Sequence, residues 1–147
     1  MARYEIIVGS QSKNYLNLAQ FYSALKQFQA LYEQAVYTSD YQPVTNIYQL
    51  YKAIALALND TKLCGFMGMT GVASTAVLAS SYVVPEHRKN NLWSHMADAL
   101  IDEARGKGFK VLRAIPASQN VLNLNKKLEN KGFKKEPELG LYQKSLT

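Results

Sequence analysis

The sequence predicts an α/β protein, a central twisted mixed β-sheet with helices on its faces. Short apolar and β-branched runs recur over residues 4–8, 54–58, 63–69, 76–84 and 110–115. Two longer stretches, 14–35 and 90–104, instead repeat their apolar residues at steps of three and four. In the second half the two kinds of segment alternate, and alternating strands and helices imply a mixed sheet covered on its faces.

The first strand is 4–8, closed by Gly9-Ser10. From Asn14 onward Leu18, Phe21, Leu25, Phe28, Leu31 and Ala35 fall on one helical face, with Gln and Lys on the other. Ser39-Asp40 and Pro43 interrupt, and 44–51 forms a short helix opening near Thr45. Ile54, Leu56 and Leu58 alternate with alanines up to Asn59-Asp60, and 63–69 follows, so the pair is a hairpin that Gly71 to Thr75 ends.

Residues 76–84 are the best strand of the chain and stop at Pro85, which lacks the N–H a ladder needs. Asn90-Asn91 open a helix with Leu92, Trp93, Met96, Leu100 and Ala104 on its apolar stripe, and Gly106-Lys107-Gly108 close it. Residues 110–115 form the next strand and 116–119 a turn. A helix over 120–131 carries Val121, Leu124 and Leu128 and ends at Gly132, and 133–146 is a closing pair of strands. The sheet is thus flanked by about four helices.

The 147 residues suit a single domain over 1–147, and no Pro, Gly or Ser tract marks a linker. Cys64, the only cysteine, excludes an internal disulfide and lies in an apolar run as a small buried side chain. The opening Met1-Ala2-Arg3-Tyr4-Glu5 has no secretory signature, and no apolar run approaches the roughly 18 residues of a membrane span, so a cytoplasmic protein without membrane contact is expected.

Charge is unevenly placed. Residues 1–60 hold four of the 17 Lys and Arg and four of the 11 Asp and Glu, so the net +6 belongs to the second half. A one-sided basic surface suits a polyanion. Nucleic acid is the weaker assignment, because no dedicated nucleic-acid motif accompanies the charge. Aromatics are skewed the other way, with eight of the ten tyrosines before Lys52. Tyr32, Tyr37, Tyr41 and Tyr48 are packing residues that could also line an acceptor surface. Neither His–His nor Cys–His spacing indicates a metal site, and no Ser-His-Asp order or phosphate-binding P-loop can be assembled.

Gly65-Phe66, then Tyr82-Val83-Val84-Pro85-Glu86-His87-Arg88 before a helix, then Gly132-Phe133 before the last strands, resembles the GNAT acetyltransferase family over 51–147. The resemblance implies a GNAT-like acyl-CoA N-acyltransferase fold, splayed between strands 4 and 5, with acetyl-CoA as co-substrate and no metal. In that family the pantetheine arm pairs with the splayed strand, a role that falls to Val83 and Val84. A phosphate loop of the form Arg/Gln-x-x-Gly-x-Gly/Ala maps onto Arg88-Lys89-Asn90-Asn91-Leu92-Trp93. Arg88 matches; Asn91 replaces the first glycine with a residue that reaches positive φ more readily than most. Trp93 replaces the second glycine. It either extends the buried stripe with Met96 and Leu100 or plugs the loop.

Asn120 fits the family's cross-splay asparagine within one residue, while Leu128 stands where a tyrosine acid is usual. The strand 76–84 offers Ser80, Ser81 and Tyr82 instead of the carboxylate that many members use as a base. Glu86, His87 and Tyr142 are conceivable bases, and none is assigned; His87 reads first as a solvated loop histidine. Two functions follow from the resemblance. One is an N-acetyltransferase moving an acetyl group from acetyl-CoA to an amine of a small molecule or protein. The other is a catalytically degenerate module of the same fold, of the kind found in phage particles. Assembly as a homodimer or larger oligomer is left open.

Overall fold

The structure is a computed structural model that describes residues 4–10, 27, 52–60, 62–114 and 124–147. Apart from Gln27, the helix expected over 14–35 lies outside the described residues, as do the helix expected over 44–51, Tyr32, Tyr37, Tyr41 and Tyr48, the turn over 116–119 and Asn120.

Among the described residues seven strands form one sheet: β1 (Tyr4–Ser10), β2 (Ala53–Asn59), β3 (Lys62–Val72), β4 (Thr75–Val83), β5 (Val111–Ala114), β6 (Lys134–Glu136) and β7 (Leu141–Ser145), in the order β1-β2-β3-β4-β5-β7-β6. β4 and β5 are parallel and every other neighbouring pair is antiparallel, which is the mixed sheet the alternating segments predict. The crossover between the two parallel strands is helix α1 (Leu92–Gly106), preceded by a 3-10 turn at Pro85–His87; helix α2 (Leu124–Asn130) follows β5.

Tight two-residue turns set the central register. Asn59 pairs with Lys62 across Asp60 at φ 55, and Val72 pairs with Thr75 across Ala73 at φ 56. Both positive values suit the right-handed twist of the strands they join. β3 runs beyond the apolar stretch, through Thr70 and Gly71 to Val72, because these residues pair with Val77, Ala76 and Thr75.

The apolar stripe of α1 (Leu92, Trp93, Met96, Ala97, Leu100, Ile101, Ala104) lies on one sheet face against Ala53, Ala55, Ala57, Met67, Met69, Ala76 and Leu78. The alanines let the helix approach closely. Burying each Leu or Met of this stripe contributes on the order of 1.5–3 kcal/mol. Alternation puts Ile54, Leu56, Leu58 and Phe66 on the other face, also buried.

Both helices end in the same way. Gly108 N–H donates to Arg105 O and Phe109 N–H to Ala104 O; Gly132 N–H donates to Glu129 O and Phe133 N–H to Leu128 O. These are Schellman ends, with glycines at φ 84 and φ 91 in the left-handed position that a Cβ penalises. Each turns the chain sharply into the next strand. At the surface Lys131 Nζ meets Asp98 Oδ1 at 2.6 Å and ties α2 to α1.

Candidate acyl-CoA site

Two bulges shape the end of the sheet nearest the start of α1. On β3, Ala57 pairs with Gly65 but Leu58 with Leu63, so Cys64 is an extra residue; the Leu63 N–H donates to Gln27 Oε1 at 2.8 Å. On β4, Met67 pairs with Ser81 but Met69 with Leu78, so Ala79 and Ser80 together oppose Gly68. A bulge bends its strand and changes which residues share a face.

Within the described residues, pairing of β4 with β5 ends at Leu78↔Ala114, whereas pairing with β3 continues to Gly65↔Val83. Among the described residues β4 thus has a first half bonded on both edges and a second half bonded on one. Gly65 keeps that second half close: a Cβ there would come within 3.1 Å of the Tyr82 carbonyl oxygen and 3.3 Å of Met96 Cε.

Val83 and Val84 are not equivalent. The Val84 N–H donates to Cys64 O at 2.8 Å, inside the sheet. Since successive residues direct their main-chain groups to opposite edges, Ser81 and Val83 are the ones that face the splay. The Val83 carbonyl already accepts from Arg88 Nε at 2.8 Å, and the guanidinium carbon lies 5.5 Å from the centre of the Tyr82 ring. Arg88 is thus fixed at the open edge by its Nε, and its terminal amino groups have no partner among the described residues.

Asn91 adopts φ 56 and ψ 25, the left-handed conformation expected of a residue standing in for glycine, and acts as the N-cap of α1. Its side chain makes no capping hydrogen bond. The first helical bond of α1 is His95 N–H to Asn91 O at 3.1 Å, so the N–H groups of Leu92, Trp93 and Ser94 point outward uncapped. Those donors and the helix dipole make an anion cradle next to Arg88 and the exposed Lys89. Asn90 steadies the loop by donating from Nδ2 to His87 O at 3.2 Å. These groups fit a pyrophosphate.

Trp93 does not leave the room that glycine would. Its ring joins Met96 and Leu100 in the core at 8% exposure, as one of the two expectations had it. It also reaches sideways: Nε1 donates to Ser81 Oγ at 3.3 Å, and Lys127 Nζ of α2 lies 6.0 Å from its centroid.

His87 differs from the solvated loop histidine that its surroundings in the sequence suggest. It is half-buried, and its Nδ1 shares a 2.8 Å hydrogen bond with Tyr4 OH, the two rings meeting edge to face. β1 thereby holds the loop from beneath. Tyr4 carries no sequence signal for this role, because the contact spans 83 positions. Lys127 is the other residue brought to the site without forewarning, beside Leu128.

The remaining candidates separate. Leu128 is 1% exposed and packs in the core. Tyr142 is buried, and its hydroxyl donates to Glu129 Oε1 at 3.3 Å. Burial first, then the neighbouring Glu129 carboxylate, pushes the phenol above its ordinary range, so it stays protonated and is a poor base. Glu86 is exposed, and the Ser80 side chain lies outside the described residues. Among the described residues no three His, Cys, Asp or Glu side chains gather as a metal site, and no helix is long and apolar enough to cross a membrane.

The sequence matches the profile of the Acetyltransferase (GNAT) family over residues 19–127, further toward the start than the motifs reach. No functionally curated protein matches it. Among solved structures, a GNAT-family acetyltransferase from Staphylococcus aureus Mu50 is similar at TM-score 0.67 and 14% identity, over 97% of this chain and 100% of that one. The ribosomal-protein-S18-alanine N-acetyltransferase of Escherichia coli is similar at TM-score 0.59 and 14% identity, over 97% and 95%. YncA of Salmonella typhimurium, solved with acetyl-CoA, is similar at TM-score 0.63 and 17% identity, over 97% and 94%.

Proposed function

The chain belongs to the GNAT acetyltransferase family, and from that premise we propose that it is an N-acetyltransferase that moves an acetyl group from acetyl-CoA to a primary amine of a small molecule or protein. The observation that carries this reading is the start of α1, led by left-handed Asn91 and without a side-chain cap from it, beside the half of β4 that the described residues bond on one edge.

Arg88, Lys89 and the N–H groups of 92–94 are the pyrophosphate ligands in this reading, and the main chain of Ser81 and Val83 aligns the pantetheine as an added strand. The reaction is direct attack of an amine nitrogen on the thioester carbon, with the thiolate as leaving group. Catalysis then rests chiefly on positioning, since Leu128 has no proton to give and Tyr142 is committed to Glu129. One similar protein acts on a ribosomal-protein alanine, which supports an α-amine among the acceptors. A single domain over 1–147 and a cytoplasmic location, where acetyl-CoA is at hand, belong to the same reading.

A second reading, a binding module of the same fold, is favoured by buried Leu128 at the position of the expected acid. One experiment addresses both. The melting temperature is followed as acetyl-CoA is added, and release of free thiol is then measured with a panel of amines and N-terminal peptides. A ligand at a hundred times its Kd adds about 2.7 kcal/mol to stability. A shift with thiol release supports the enzyme, and a shift without release supports the module. No shift at millimolar acetyl-CoA removes the enzyme and leaves the module.

A further inference from the structure

The Trp93 N–H serves the proposed reaction, but the indole has no use there. Its three sets of contacts stand on three elements: the core of α1, Ser81 on β4 and Lys127 on α2. The indole therefore reaches from α1 to the side chain of Ser81, a residue whose main chain faces the splay, and toward the neighbouring helix. An extended ligand pairing with the main chain of Ser81 and Val83 would run through the same space.

We infer that Trp93 is a stopper seated in the acyl-CoA channel, held shut by Ser81 and Lys127, and that the ligand enters only as the indole swings out. This rests on the acetyl-CoA reading above. Of the contacts that hold the ring, the two polar ones are of a kind that can be exchanged. The hydrogen bond to Ser81 is long at 3.3 Å, Ser81 is itself exposed, and the Lys127 cation sits at the outer limit of useful cation–π distance. Trp93 is the second residue of α1, so a change of rotamer moves the ring while the N–H groups that cradle the phosphate stay fixed. Only the open fraction binds, and the apparent Kd rises by the reciprocal of that fraction.

Trp93 is the only tryptophan in the chain, so emission excited at the red edge of the absorption band, where the ten tyrosines do not absorb, reports on this residue alone. Acetyl-CoA is titrated into wild type, Trp93→Ala and Ser81→Ala, with calorimetry for affinity and fluorescence for the ring. The expected result is a red-shifted, exposed indole in the wild-type complex and binding at least about tenfold tighter in Trp93→Ala, for a closed state populated roughly 90% or more. Ser81→Ala leaves no hole beneath the ring and tightens binding to a smaller extent, so the inference stays open to test if Trp93→Ala folds poorly. Equal affinities in all three proteins with unchanged wild-type fluorescence overturn it and leave the acetyl-CoA reading intact. Absence of binding in every protein overturns that reading, and the stopper with it.

Discussion

The two halves of β4 follow one another along a single strand yet do different work. Residues 75–78 are bonded to β3 on one edge and β5 on the other, and Ala76 and Leu78 lie in the core beneath α1. Past the bulge, Ser81 and Val83 turn their main-chain groups to an edge that the described sheet does not complete, beside Arg88 and the start of α1. The first half holds the fold together; the second leaves bonding capacity for something else. A strand needs only a lost neighbour to pass from one duty to the other.

The sharpest way to break this division is to damage each half and look for the effect on the other. Leu112 of β5 pairs with Ala76 and is fully buried. Leu112→Ala should cost about 2–5 kcal/mol, measured as a lower urea midpoint, while the Kd of the folded protein for acetyl-CoA stays within about twofold. A large loss of affinity at unchanged stability would erase the distinction.

Arg88→Ala acts on the other half. Hydrogen bonds to charged groups are worth about 1.5–3 kcal/mol, so calorimetry should show acetyl-CoA binding weakened roughly ten- to a hundredfold, with a much smaller change in urea midpoint. Tyr4→Phe removes only the hydroxyl that meets His87. The expected cost is about 0.5–1.5 kcal/mol, together with a weaker grip on acetyl-CoA as the loop loses its support from β1. Unchanged affinity would mean that the loop is positioned without β1.

The smallest effect comes from Cys64, whose Sγ donates to Ala57 O at 3.4 Å and whose carbonyl holds Val84. Burial pushes its thiol up to about 11 from an ordinary value near 9. The folded thiol stays neutral where the unfolded one ionises, so its contribution to stability is complete below pH 9 and is lost as pH rises toward 11. Urea midpoints at pH 8 and pH 10.5 should fall further for wild type than for Cys64→Ala. At pH 8 the native thiol should also resist a disulfide reagent that labels it once unfolded.

The strands and the helix stops were legible because local chemistry sets them. β2, β4 and α1 follow their apolar periods, and Gly108 and Gly132 end their helices for the conformational reason that makes glycine useful there. Asn91 was legible on the same ground. The end of β3 was not, since pairing rather than its own side chains carries it to Val72. At the site the missing tyrosine at Leu128 could be read from the sequence, but the company of Trp93 could not. Ser81 and Lys127 reach it from other elements, as Tyr4 reaches His87. Contacts of that kind are decided by how α1 and α2 settle on the sheet, which no local pattern encodes.

The pair Ala79 and Ser80 opposite Gly68 has a bearing on how such a site can change over generations. Were the strand to pair regularly past Leu78 with both residues in place, Tyr82 and Val84 would take the places of Ser81 and Val83 along the splay. The extra residue is what brings Ser81 and Val83 to that edge. Loss of one of the pair would close the bulge and leave Ser81 opposite Met67 and Val83 opposite Gly65, whereas a codon lost between Ser81 and Pro85 would carry Arg88 and Asn91 out of step with the strand in one event.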